Sequence, residues 1–227
     1  MYTTLWYILE GKGFHVQAMA FTGIAATLLP KGKTVHKTFA LPVPLFNDST
    51  SNIKLQSTAA NELKNTDLFI IDEAPMAPRY AMEVANQILK DIMSNDLSFG
   101  GKLIILGGDF KQLLPIKPGG TREETVNLSI KFSKCWMFFQ IFYLTQNMRA
   151  LPEEKEFMQY LSDLGEGKLN DSNDNIILPD HCICEQDSDI AEIIFGDLLR
   201  NNKIKEASQC AILSARNADV MRLIKEL

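Results

Sequence analysis

The run Leu68-Phe69-Ile70-Ile71, four apolar residues without polar alternation and closed by Asp72 and Glu73, constrains this chain more than any other segment. A strand that is apolar on both faces must be covered on both, and such strands belong to parallel sheets layered between helices. A second run, Leu103–Leu106, repeats the pattern and ends in Gly107-Gly108-Asp109. Between the two, Met82, Ala85, Ile88, Leu89 and Met93 recur at helical spacing over Tyr80–Met93. Weaker signals place helices around Leu5–Leu9, Ile24–Leu29 and Leu63, and strands at His15–Phe21, Ile141–Thr145 and Cys210–Ser214. An acidic helix is expected from Glu153, loops at Asn47–Ser51 and Gly165–Asn175, and a last helix from Asn217. Strands alternating with helices predict an α/β fold built on a parallel sheet.

At 227 residues, the chain has room for one large domain or one and a half. No apolar run approaches the roughly 20 residues of a membrane-spanning helix, so no membrane partner is expected. The opening MYTTLWYILE lacks the basic start and small-residue cleavage site of a secretory signal. Cys182 and Cys184 beside His181 invite a zinc site, but no second C-x-x-C or H-x-x-x-H supplies further ligands. The four cysteines are expected to be reduced thiols, as in the cytosol or nucleus. A net charge of −5 argues against histone-like binding to nucleic acid. That charge is unevenly spread: residues 151–190 hold 11 acids and 2 bases, so the rest of the chain is mildly basic and can still offer a local polyanion site.

Each apolar run delivers chemistry to its C-terminal end, where open α/β sheets bind ligands. After Ile71, one carboxylate of Asp72-Glu73 can hold Mg²⁺ on a nucleotide and the other can polarise an attacking water. The plainer reading is a pair of acids complementing a helix N-terminus, with which Pro75 is compatible. After Leu106, the glycines permit close approach, and the neutral amide of Gln112 suits a sensor of γ-phosphate or water. A plain glycine-rich turn would look the same. Leu144-Thr145-Gln146-Asn147-Met148-Arg149 leads to an arginine whose planar fork matches phosphate oxygens, though a lone arginine is more often a surface residue.

A fourth stretch runs from Thr22-Gly23 through Lys31, Lys33, His36, Lys37 and Phe39. Lysines with an aromatic suit a single strand of nucleic acid, with Phe39 under a base; a solvated basic loop fits equally. Gly32-Lys33-Thr34 imitates the end of a P-loop, G-x-x-x-x-G-K-[ST], but position 27 is Thr27 and the residues before it read as a helix. None of the other Gly-Lys pairs is followed by Ser or Thr, so the 227 residues contain no P-loop.

Taken together, TGIAATLLPKGKTVHKTF, LFIIDEAPM, FGGKLIILGGDFKQLLPI and LTQNMR resemble, in order, the motifs of the Pif-type 5′-to-3′ DNA helicases of superfamily one, Helitron helicase modules included. The likeness covers about residues 1–150, with a weaker match at AILSARNADV. It implies a RecA-like domain over 1–150, then an acidic linker and the start of a second such domain over 151–227. It implies ATP and Mg²⁺ as cofactors and single-stranded DNA as partner. By the same likeness Asp72 binds the metal, Glu73 activates water, Gln112 reads the γ-phosphate and Arg149 is an arginine finger. Thr22, Gly23, Lys33, His36 and Phe39 would line the DNA track. The family works in DNA repair, recombination and telomere maintenance, which implies a nuclear or mitochondrial location. In the family a P-loop precedes a helix like Met1–Leu9, and further helicase motifs follow a point like Leu227. The phosphate cradle and second motor domain are therefore expected outside these residues.

Three readings remain open on the sequence: part of an ATP-dependent DNA helicase, a short protein that binds DNA or a partner without turning over ATP, and another NTPase such as an RNA helicase. GGDFKQLLP and LTQNMR favour the first over the third.

Overall fold

The computed structural model describes residues 1–148, 151, 153–185, 188–214 and 217–226. They fall into two units, Met1–Lys168 and Leu169–Leu227. The first is an α/β layered unit whose four strands, β1 (Val16–Ala20), β2 (Lys33–Thr34), β3 (Leu68–Asp72) and β4 (Leu103–Leu106), are all parallel in the order β2-β1-β3-β4. The expected α/β architecture is therefore present, and the register is continuous. Ala20 lies opposite both Thr34 and Asp72, and Ile71 lies opposite Leu106.

Alternate residues of each strand feed two cores. On one face Met19, Phe69 and Ile71 pack against α4 (Thr58–Asn65) and α5 (Arg79–Met93), with Ile104 and Leu106 at the margin. The inner stripe of α5, from Ala81 through Ala85 and Leu89 to Ile92, is the helical pattern read from the sequence. On the other face Ala18, Ala20, Leu68 and Ile70 meet Trp6 of α1 (Tyr2–Glu10) and Ala26 of α2 (Gly23–Thr27). Trp6 is fixed by its indole N–H, which donates to the Val16 carbonyl at 3.0 Å. Because the strand pattern fills both faces, β3 is buried throughout apart from Asp72.

Several sequence expectations fail. Phe39, read as a base-stacking residue, is wholly buried after α3 (Val35–Thr38), its ring 5.5 Å from that of Phe69. Val35 and Phe39 stand four residues apart and share the inner face, so packing claims the aromatic before any ligand can. Leu103, expected in a fully buried strand, is 69% exposed, because β4 is the outer strand among the described residues. The runs Ile141–Thr145 and Cys210–Ser214 form no strand. A strand needs a hydrogen-bonded neighbour, and neither finds one among the described residues.

After β4 come α6 (Arg122–Val126), capped reciprocally by Thr121 and Glu124, and the acidic helix α7 (Lys155–Gly165). Lys111 ties α7 down, donating to Ser162 Oγ at 3.1 Å and pairing with Glu166 at 2.7 Å. The second unit holds a turn in which Asp171 accepts the N–H groups of Asn173 and Asn175, and the helices α8 (Asp197–Arg200), α9 (Ile204–Ala207) and α10 (Asn217–Glu226). Among the described residues, no helix is long and apolar enough to cross a membrane.

Candidate functional site

Parallel register carries the polar clusters to one edge of the sheet. The C-terminal ends of β2, β1, β3 and β4 deliver in turn Thr34 to His36, Phe21 to Gly23, Asp72 with Glu73, and Gly107 to Gln112. Asp72 ends β3 partly exposed, and its Oδ1 accepts the Glu73 N–H at 3.0 Å. Glu73 stands at φ 53, ψ 35, a left-handed conformation uncommon for a residue with a Cβ, and heads a 3₁₀ turn over Ala74–Met76. The turn is stitched to β4: Gly107 N–H donates to Ile71 O at 2.8 Å, and Ala74 N–H donates to Gly107 O at 2.9 Å.

Tyr2 completes this edge, and the sequence reading overlooked it. Its hydroxyl lies so close over Gly107 that a methyl there would overlap it. Burial, then the charges of Asp72 and Glu73, push the Tyr2 phenol up to about 12, so the group stays a neutral O–H beside two acids. Nothing in the α1 sequence signals this, because only the packing of α1 across the sheet brings Tyr2 to the strand ends. We expect Gly107→Ala to destabilise the first unit, and Tyr2→Ala to relieve part of that loss when the two are combined. A double-mutant cycle of denaturation midpoints measures the coupling, and strictly additive effects would contradict the contact.

Gln112 is exposed, its N–H donating to Asp109 O at 3.3 Å in the turn after β4. Gly108, at φ 147, passes so close to the Pro75 ring that a Cβ would strike it. Arg149 lies outside the described residues, so its place relative to Asp72 and Gln112 is not part of this geometry. A strand-end carboxylate with a second acid beside it fits Mg²⁺, which takes one or two carboxylates and fills its shell with waters and phosphate oxygens. Among the described residues, no cluster of three or more His, Cys, Asp or Glu side chains is placed to hold a metal without such partners.

Toward β1 and β2, Thr22 caps α2 by accepting the Ala25 N–H at 3.2 Å, and open space surrounds Gly23. Thr34 caps α3 in the same way through Lys37 N–H, which is the local role of the P-loop imitation. Lys33 pairs with Glu62 at 3.4 Å, Lys31 lies over the Trp6 ring, and Lys37 is exposed. His36 is partly buried against Phe21, with ring centroids 5.0 Å apart, and burial holds its pKa below the usual histidine value. Of the expected DNA-side residues, Thr22, Gly23, Lys33 and His36 thus lie by the strand ends, and Phe39 sits in the core.

A family model described as PIF1-like helicase matches residues 1–175. The ATP-dependent DNA helicase Pif1 of Psychrobacter sp. is 32% identical over 169 residues, which cover 71% of this chain and 25% of that protein. A crystal structure of Bacteroides Pif1 bound to ssDNA superposes with a TM-score of 0.61 at 26% identity, over 87% of this chain and 50% of that one. Bacteroides Pif1 in complex with ADP-AlF3 and ssDNA gives 0.62 at 25% identity, over 86% and 50%. The chain thus spans about a quarter of the Psychrobacter protein and half of the Bacteroides chains.

Proposed function

This chain belongs to the PIF1-like helicase family, and from that premise we propose that it forms the first RecA-like half of an ATP-dependent 5′-to-3′ DNA helicase motor. The observation that carries the reading is the convergence of four strand ends on one edge, with Asp72 and Glu73 at its middle and the Thr22–His36 cluster beside them. In this reading Asp72 would hold Mg²⁺, which would supply positive charge to offset that of the nucleotide's phosphates. Glu73 takes the proton of the attacking water, Gln112 hydrogen-bonds the γ-phosphate or that water, and Arg149 supplies the finger that stabilises developing charge. Single-stranded DNA runs over Thr22, Gly23, Lys33 and His36, where hydroxyl, open backbone and positive charge meet a phosphate chain. We place the motor in the nucleus or mitochondrion and in DNA repair, recombination and telomere maintenance on the family likeness alone. A Helitron module is part of the same proposal.

A second reading is a DNA-binding module without turnover of its own. Both readings require DNA on the basic side of the edge. Anisotropy of a labelled oligodeoxythymidylate should show binding that weakens with salt. Lys31→Glu, Lys33→Glu and Lys37→Glu together should lower the affinity and flatten the slope by up to about 2, at about 0.7 per phosphate contact in a single strand. Lys37→Glu alone, which disturbs neither the Trp6 nor the Glu62 contact, should give part of that change. Unchanged affinity and slope in the triple variant would remove this face from the DNA track.

A further inference from the structure

With Phe39 in the core, the DNA side lacks the aromatic that the sequence placed there, and the structure offers another. Phe21 directly follows β1, between the strand and the open backbone at Gly23. Phe21 packs against the core on the Phe39 face of the sheet, and the residue remains partly exposed. Its N–H donates to the Asp72 carbonyl at 3.3 Å, so its main chain is held to the strand end that carries the acids. The His36 ring leans on it at 50° with centroids 5.0 Å apart. Burial favours the neutral imidazole, so His36 adds a flat ring surface without a charge that must be desolvated. Lys37 stands exposed on the same helix as His36.

We infer that Phe21, backed by His36, is the platform on which one base of single-stranded DNA stacks. The inference rests on the DNA-binding reading above and adds to it the residue that handles a base rather than a phosphate. A rigid ring at a strand end is anchored on its core side and can offer a π-face without further ordering. Stacking is indifferent to base identity, as a motor that moves along any sequence requires. The backbone bond from Phe21 to Asp72 makes the base platform and the metal-side strand neighbours within one hydrogen-bonded ladder.

The test uses the full 227-residue chain and two probes of equal length and charge: oligodeoxythymidylate and an abasic deoxyribose-phosphate oligomer. Phe21→Leu keeps an apolar side chain against the core and removes the ring. It should lose about tenfold or more in affinity for the thymidylate and nothing for the abasic probe, the scale of one stacked base. Phe21→Trp should show fluorescence quenching with thymidylate, beyond the signal of the parent Trp6 and Trp136, and none with the abasic probe. If Phe21→Leu melts early, the Phe21→Trp signal decides alone: quenching by thymidylate upholds the platform and its absence overturns it. Equal losses for both probes, or no loss for either, overturn the platform and leave DNA binding standing. A parent chain that binds neither probe overturns the DNA reading and the platform with it.

Discussion

Purified as they stand, these 227 residues should release no measurable phosphate from ATP, with or without single-stranded DNA. On the proposed reading the edge supplies the metal-side half of a hydrolytic site, with Asp72 at the strand end, Glu73 beside it and Gln112 on the next turn. The sequence contains no P-loop, so it brings no ring of backbone N–H donors and no lysine to the β- and γ-phosphates. Phosphoryl transfer depends almost wholly on positioning and charge stabilisation. Loss of one preorganised donor costs about 3 kcal/mol, a hundredfold or more in rate, and here a whole cradle is absent. Joining a P-loop-bearing segment ahead of Met1 and a second RecA-like domain after Leu227 should restore DNA-stimulated hydrolysis. Glu73→Gln should then abolish it while nucleotide binding persists. Phosphate release is the assay. Glu73-dependent hydrolysis by the unmodified chain would show that the cradle is dispensable.

Phe39→Ala should cost the first unit about 3–5 kcal/mol, the usual penalty for emptying a phenylalanine site in a packed core. The ring is wholly buried and abuts Phe69 between the sheet and the helices that cover it. A domain of this size holds about 5–15 kcal/mol in all, so the midpoint of urea unfolding should fall steeply. The fluorescence of Trp6, buried in the opposite core, can report it. A base-stacking Phe39 predicts the opposite pattern: unchanged unfolding and weaker binding to DNA. Normal stability in Phe39→Ala would return the residue to the DNA track.

Much of the first unit was legible because its strongest signals are local. LFIID and LIIL are short apolar runs without alternation, and α5 repeats its inner stripe over four turns, so periodicity and length together separate strand from helix. The strand-end polar clusters were legible too, since a parallel strand places whatever follows it at one edge. Phe39 was misread for want of a count: Val35, Thr38 and Phe39 stand at helical spacing and are all buried, while Lys37 between them points outward. Tyr2 was invisible because its contact with Gly107 joins residues from opposite ends of the sheet's chain order, a relation no window along the sequence contains. Ile141–Thr145 has strand composition, and composition does not provide the neighbour that makes a strand.

The outer side of β4 also bears on how the protein behaves at high concentration. Among the described residues nothing pairs with it, and its four residues carry neither the charge nor the proline with which natural proteins blunt an open edge. The lysine just before it, Lys102, is folded back to donate to the Lys64 carbonyl at 2.6 Å and so cannot act as a guard. With Leu103 bare and Phe142, Tyr143 and Leu144 about four-fifths exposed, the unit presents two adhesive stretches of uncharged chain. Where nothing lies along β4, crowded copies of these residues therefore have a template for edge-to-edge growth.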